Sequence, residues 1–272
     1  MTLPYAEVIG DPIAQSKSPL IHGFWLEKLD LAGEYRKTLV TSDGLAEFFA
    51  RRREDPDWRG CNVTAPHKQA VLPFVDDRGG VGDSIGAMNT IIREPDGTLI
   101  GTNTDAAGFF GPIADLDLVD QKVVVIGAGG AARAVLFALS RCAVGPVTIM
   151  NRSPMPAAAL LAKFGLKGNV VGLDAPLPAA SLIVNASTLG MVGAPAFEPD
   201  LSAQRSDCIV YDIVYSPLQT GLLAAAEERG LETIDGLEML VGQAAVAFEL
   251  FFDAEPPRQY DDELRELLLR WS

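Results

Sequence analysis

Val123-Val-Val-Ile-Gly-Ala-Gly-Gly-Ala-Ala-Arg-Ala134 is the stretch that decides the fold of this chain. Its leading apolar residues, Val123 to Ile126, predict a buried parallel strand, and the Gly-rich turn after them opens into an Ala- and Leu-rich helix running to about Leu139. Gly127 suits a tight turn, Gly129 lacks the Cβ that would hold backbone away from a pyrophosphate, and Ala132 lets the helix pack close to the strand. The helix N-terminus then offers free N–H groups and the positive end of its dipole to an anion. Such turns also exist for packing alone, but here a second strand, Val147-Thr-Ile-Met150, follows at βαβ distance. It ends in Asn151-Arg152, where NAD sites usually carry an acid and NADP sites avoid the acid and add Arg. NADP is therefore the expected cofactor, with an ordinary solvated surface charge as the alternative reading of Arg152.

Bulk composition narrows the function further. A chain of 272 residues, 48% hydrophobic and 21% charged, is long enough for two domains with real cores. A net charge of −14 argues against nucleic acid, whose phosphates need clustered Lys and Arg. Cys61, Cys142 and Cys208 are scattered without metal spacing and predict reduced, buried thiols. With only His22 and His67 available, no metal site is expected. The N-terminus has no basic region ahead of an apolar run, and Ala175 to Phe197, though uncharged, is broken by three prolines and Asn185. A cytoplasmic protein with a small-molecule substrate and no membrane partner is expected.

In chain order, Val8-Ile-Gly10 predicts a short strand and Asp11 to Ser18 a loop. Pro19 suits the first position of a helix running to about Asp30, which makes Ser18 its N-cap. Ser16, Lys17 and Ser18 in one loop could equally bind a polyol or carboxylate. Tyr35 to Val40 and Gly60 to Thr64 are further strands, with Leu45 to Arg53 a helix between them. Pro66 is expected to start a helix with His67 and Lys68 in its first turn, a position where the dipole disfavours a cation. A lysine placed so invites a functional explanation. Ala87 to Arg93 and Thr98 to Gly101 flank Pro95-Asp-Gly97, a hairpin signal. Thr104 or Asp105 would cap a helix from Ala106. Later strands are expected at Ser181 to Asn185, Cys208 to Val214 and Leu231 to Ile234, and helices at Leu218 to Arg229, from Leu237, and at Asp261 to Trp271. In the last of these, Leu264, Leu267, Leu268 and Trp271 form an i, i+3, i+4, i+7 stripe.

The fold class expected is α/β. Residues 1–104 would form an α/β substrate-binding domain and residues 105–239 a Rossmann-type parallel-sheet nucleotide domain. Helices in 240–272 would return to the first, and a cleft between the domains would hold the ligand.

Several stretches taken together resemble the shikimate dehydrogenases. They are Gly10-Asp-Pro-Ile with Ser16-Lys-Ser-Pro19, Asn62-Val-Thr-Ala-Pro-His-Lys68, Gly86-Ala-Met-Asn-Thr90 and Gly101-Thr-Asn-Thr-Asp105. The Gly127 turn, Asn151-Arg152, Asn185-Ala-Ser, Asp212-Ile-Val-Tyr215 and Gly236-Leu-Glu-Met-Leu240 followed by Gln243 complete the set, which spans nearly the whole chain.

The resemblance implies reversible oxidation of shikimate to 3-dehydroshikimate with NADP, in aromatic amino-acid biosynthesis, by a monomer or homodimer. It places Lys68 as acid/base with Asp105 at the reacting hydroxyl. It gives Ser16, Ser18, Thr64, Asn89, Tyr215 and Gln243 to the substrate. To the cofactor it gives Gly127, Ala128, Gly129, Gly130, Ala131, Asn151, Arg152, Ile213, Gly236 and Met239. Three positions depart from the family pattern: Gln15 replaces the usual His, Gly23 follows His22 in place of Asn, and Pro156 stands where many members have a second Arg. The last would leave Arg152 to hold a 2′-phosphate unaided and keeps NAD open as an alternative cofactor.

The rival from the same class is an NAD-dependent oxidation of quinate or shikimate, which Arg152 disfavours and Pro156 slightly favours. Gly82-Asp-Ser-Ile-Gly86 matches the hydrolase pattern G-x-S-x-G, but loop residues precede Ser84 and a strand follows, the reverse of a nucleophile elbow. A ligand sensor without catalysis is disfavoured by the presence of both Lys68 and Asp105.

Overall fold

Short runs of β-branched and aromatic residues bounded by Gly, Pro and Asp set the strands of this chain, which a computed structural model describes over residues 3–271. The chain divides into one unit of residues up to Thr104 together with Val241–Trp271, and a second of Asp105–Leu240.

The first unit holds a five-stranded sheet of β1 (Tyr5–Gly10), β2 (Glu34–Leu39), β3 (Trp58–Val63), β4 (Thr90–Arg93) and β5 (Leu99–Thr102), in the order β2-β1-β3-β4-β5. Strand β1 runs parallel to its neighbours β2 and β3, while β4 is antiparallel to β3 and β5. The β4–β5 hairpin turns at Gly97, whose φ of 87° belongs to the left-handed region that glycine tolerates. Helices α1 (Ser18–Lys28), α2 (Leu45–Arg53) and the short α3 (Val81–Ser84) connect the strands.

In the second unit, α4 (Asp105–Phe110) leads to β6 (Val123–Ile126), α5 (Gly130–Arg141), β7 (Val147–Met150), α6 (Pro154–Lys163), β8 (Gly168–Val171), β9 (Leu182–Asn185), β10 (Ile209–Asp212), α7 (Gly221–Glu228) and β11 (Glu232–Ile234). Its six strands are all parallel and ordered β11-β10-β9-β6-β7-β8. Read from the far edge this is 3-2-1-4-5-6 in chain order, the doubly wound dinucleotide-binding arrangement, and its switch point lies between β6 and β9. Both of those strands are buried along their whole length, as unbroken apolar runs in a sheet covered on two faces should be. Helix α8 (Gly236–Phe252) begins in this unit and ends in the first, and α9 (Asp261–Arg270) closes the chain.

Five local expectations need correction. Ser18 is not an N-cap: α1 begins at Ser18 with Pro19 in its first turn, and the Ser18 hydroxyl bonds Tyr35 instead of a helix N–H. No helix starts at Pro66. Residues 65–71 form consecutive turns, because the Lys68 carbonyl that a helix would give to Leu72 is taken by Met88 N at 2.7 Å. Lys68 therefore lies in a turn and not at a helix N-terminus. That same bond holds Met88 off the hairpin, so β4 begins at Thr90, three residues after Ala87. Trp271 is 66% exposed, since α9 stops at Arg270 and only Leu264 and Leu268 of its stripe are fully buried. Cys142 is half-buried, whereas Cys61 and Cys208 are buried as expected; all three are free thiols. Among the described residues, no helix is long and apolar enough to cross a membrane, and no cluster of His, Cys, Asp and Glu could hold a metal.

Candidate active site

Each unit carries its own share of the candidate residues. In the first, Asn89 follows the turn at Gly86 and precedes β4, while Gln243 projects from α8 one turn after Met239. Asn89 Nδ2 donates to Thr104 Oγ1 at 3.0 Å and to Gln243 Oε1 at 3.4 Å. Asn89 Oδ1 in turn accepts from Thr104 N at 2.7 Å and from Thr90 Oγ1 at 3.1 Å. The bonds continue inward, with Asn62 Nδ2 donating to Thr90 Oγ1 at 2.9 Å and Tyr35 Oη donating to Asn62 Oδ1 at 2.5 Å. Ser18, hydrogen-bonded to Tyr35, ends the chain. Two of the expected substrate residues thus touch directly, Asn89 and Gln243, and Ser18 joins them through Tyr35, Asn62 and Thr90. Buried amides and hydroxyls must be satisfied, and a network in which each fixes the next sets their orientations.

Ser16 is half-buried, and its hydroxyl faces Ser18 N at 3.4 Å. Lys17 between them is buried and bonded within the chain. Its ammonium donates to Leu268 O at 2.8 Å, a cation on the last turn of α9, and burial lowers its pKa. Thr64 follows β3 and packs its methyl against Gly10, where an added Cβ would stand 2.5 Å from that methyl. Gly10 therefore has a steric reason. Half-buried Lys68 lies four residues on, and the neighbouring His67 is fully buried with Nε2 donating to Val40 O at 2.6 Å. His22 is also buried, stacked on Tyr35 with ring centroids 3.9 Å apart, and neither of its ring nitrogens has a hydrogen-bond partner among the described residues. Desolvation pushes its pKa down to about 3, so the ring is neutral and acts as an aromatic plate.

In the second unit, Gly127 sits at the C-terminal end of β6 with φ 105°, its N–H on Met150 O at 2.9 Å. A Cβ there would come within 3.0 Å of Ala186 O and Ser187 Cβ, so the strand-to-helix turn needs glycine on two counts. Gly129, the N-cap of α5, is exposed with nothing within 4 Å of where a Cβ would stand. Ala128, Gly130 and Ala131 around it are half-buried. An open helix N-terminus beside a Cβ-free turn suits the pyrophosphate of a dinucleotide. Asn151 Nδ2 donates to Ser153 O at 2.9 Å and holds the turn into α6, leaving Arg152 and Pro156 exposed. Ile213 and Met239 pack in one apolar cluster with Ala128. A side chain at Gly236 would strike the Ile213 carbonyl at 2.5 Å. Ile213, Gly236, Met239 and Ala128 are thus brought together. Tyr215 follows on the same segment, and burial raises its pKa. Asp105, the first residue of α4, is buried at 4% exposure.

Asn62, Thr90, Thr104 and Tyr35 align the expected substrate residues, although the sequence marks none of them as a site residue. An asparagine inside a run as apolar as Cys61-Asn62-Val63 is the signal that could have found the first of them.

Three family models match in succession: "Shikimate dehydrogenase substrate binding domain" over residues 8–91, "Shikimate / quinate 5-dehydrogenase" over 112–191, and "Shikimate 5'-dehydrogenase C-terminal domain" over 236–262. The shikimate dehydrogenase (NADP(+)) of Sphingopyxis alaskensis is 66% identical over 266 residues, covering 98% of this chain and 97% of its own. That of Paramagnetospirillum magneticum is 42% identical over 273 residues, with 97% of each covered. Among solved structures, shikimate 5-dehydrogenase from Thermus thermophilus in complex with NADP(H) and shikimate superposes with a TM-score of 0.85 at 34% identity, covering 97% of this chain and 99% of that one.

Proposed function

The chain belongs to the shikimate dehydrogenase family, and on that premise we propose that it catalyses the reversible NADP-dependent oxidation of shikimate to 3-dehydroshikimate in aromatic amino-acid biosynthesis. It is an oxidoreductase acting on a CH–OH group. The observation that carries this reading is the buried Asn89–Gln243–Thr104 array, which offers a polyol fixed amides and hydroxyls, in a chain whose other unit has the dinucleotide strand order and a Gly turn at its switch point.

The nicotinamide cofactor, held as below, would supply the hydride chemistry, acceptance by its oxidised form and donation by its reduced form. The protein's share is one proton and the geometry. Lys68 moves the proton at the reacting hydroxyl, and Asp105 holds the Lys68 ammonium and accepts from a neighbouring substrate hydroxyl. Ser16, Ser18, Thr64, Asn89, Tyr215 and Gln243 bind the carboxylate and remaining hydroxyls. Gly127 to Ala131 hold the pyrophosphate, Arg152 with Asn151 receives the 2′-phosphate, and Ile213, Gly236 and Met239 line the nicotinamide side. The substrate-binding domain is 1–104 with 240–272 and the nucleotide domain 105–239, and the protein works in the cytoplasm as a monomer or homodimer.

Initial rates with shikimate and with quinate, each with NADP and with NAD, test the proposal. Turnover should be fastest with shikimate and NADP. Quinate preferred with NAD would overturn it in favour of the reading that exposed Pro156 supports.

A further inference from the structure

One buried carboxylate has no part in the proposed chemistry. Asp212, at the C-terminal end of β10, is wholly inaccessible to solvent. Its Oδ1 accepts from Asn185 Nδ2 at 2.9 Å and from Val214 N at 3.0 Å, and its Oδ2 accepts from Thr220 Oγ1 at 2.7 Å. Thr220 is the N-cap of α7, its hydroxyl accepting from Leu223 N at 3.3 Å. A single side chain therefore fastens residues 213–220 at both ends, by Val214 at the start and Thr220 at the finish. Asn185 stands opposite Asp212 in the ladder and carries the bonding into the loop after β9, its Oδ1 accepting from Ser187 Oγ at 2.7 Å and its Nδ2 donating to Leu189 O at 3.0 Å. That loop reaches back to the same segment, Val192 N donating to Ser216 O at 2.8 Å. Both loops leave the carboxyl ends of parallel strands, the edge at which open α/β sheets bind ligands.

We infer that Asp212 is a positioning residue, which by accepting from Asn185, Val214 and Thr220 together holds segment 213–220 in the form that presents Tyr215 to the substrate; the inference rests on the reading of Tyr215 as a substrate contact. Two physical facts favour this over simple architecture. Burial raises the Asp212 pKa to about 6, the bonds from Thr220, Val214 N and Asn185 opposing it only in part, so keeping an ion here at neutral pH is unfavourable to the fold. A neutral amide of the same size would avoid that cost. What the carboxylate has and the amide lacks is an acceptor on each oxygen. In Asp212→Asn the oxygen can still serve Asn185 and Val214, but the NH2 group can reach Thr220 only by donating to a hydroxyl that already accepts from Leu223 N, so a charge-assisted bond at the far end of the segment gives way to a weaker neutral one.

The test compares Asp212→Asn, Thr220→Val and Thr220→Ser with the parent chain. Measurements are amide hydrogen exchange over 213–220, melting at pH 7.5, and shikimate kinetics at saturating NADP. Asp212→Asn should melt at or above the parent temperature, exchange faster across 213–220, and raise KM for shikimate by roughly tenfold, the scale of one contact to a charged group. Thr220→Val should exchange and bind in the same direction, while Thr220→Ser, which keeps the hydroxyl, should restore both. Parent-like exchange in Asp212→Asn and Thr220→Val overturns the inference. So does faster exchange with unchanged shikimate KM, or activity lost only in step with melting temperature. A parent chain that fails to turn over shikimate defeats the reading of the site, whereas the exchange rates judge the clasp by themselves.

Discussion

The two units present opposite solutions to recognition. In the first, the candidate surface is built of side chains: Asn62, Asn89, Thr90, Thr104 and Gln243 are each at most 8% exposed, and each orients another. In the second, the Gly127 to Ala131 turn offers backbone, and its chief feature is room, with open space where a Cβ at Gly129 would stand. The difference follows from the ligands. A pyrophosphate carries enough charge to be held by N–H groups and a helix dipole, so the protein need only let it approach. A neutral hydroxyl gains little from a field and must meet a donor or acceptor already aimed at it. One half should therefore fail when side-chain atoms are removed, and the other when atoms are added.

Lys68 should give the largest effect and tests whether the first unit does chemistry as well as binding. Lys68→Ala is expected to lower kcat by about 10²–10⁴-fold, ~3–5 kcal/mol of barrier, with melting temperature and NADP affinity kept. Asp105→Asn should also slow turnover, and the double variant should lose less than the sum, as for residues acting as a unit. A surface lysine with no role would change the rate by less than about threefold. Steady-state kinetics on folded Lys68→Ala decide between the two.

The next pair sets the halves against each other directly. Arg152→Ala should raise KM for NADP about tenfold to a hundredfold, ~1.5–3 kcal/mol for one charge-assisted contact, and leave NAD kinetics nearly unchanged. Gln243→Ala should weaken shikimate by about tenfold, because Asn89 Nδ2 loses an acceptor, and leave NADP affinity intact. Calorimetry with each ligand gives the two-by-two result. Equal loss of NAD and NADP in Arg152→Ala, or lost NADP binding in Gln243→Ala, would erase the division of labour.

How much of this was legible beforehand divides the same way. The nucleotide half could be read from the residues, since Val123 to Ile126 and the glycines after it have a local meaning that needs no partner far off in sequence. Asn151-Arg152 was likewise local. In the substrate half the Ser16 to Ser18 loop and Lys68 drew notice locally, but the amide array did not, because Asn89 meets Gln243 across 154 residues and nothing near either announces the other. The failed helix at Pro66 has the same origin: Met88, twenty residues on, takes the Lys68 carbonyl that local propensity had assigned to a turn of helix. Strand β8, with Gly168 and Asn169 in its four residues, had too little apolar pattern to be expected at all.

The smallest effect separates the two units by their response to acid. His22 in the first unit, with a pKa pushed down to about 3, stays neutral in the fold, whereas an unfolded histidine takes up a proton near pH 6.5. The unfolded state then binds more protons as pH falls, so stability contributed by His22 is present above pH 6.5 and is lost below it. One unit below that pKa, at pH 5.5, the loss is about 1.4 kcal/mol. Asp212 in the second unit has the opposite sign. Its pKa of about 6 exceeds the unfolded value, so the folded state holds the extra proton and stability rises as pH falls from 6 toward 4. His22→Phe keeps the stack on Tyr35 without the titration, and should leave shikimate kinetics unchanged because neither ring nitrogen of His22 has a hydrogen-bond partner among the described residues. Denaturant melts of the parent and of His22→Phe at pH 7.5 and 5.5 give the result. The stability of the parent relative to His22→Phe should fall by about 1.4 kcal/mol on acidification, and a pH-independent gap between the two would mean that the ring takes up its proton in the fold as readily as in the unfolded chain.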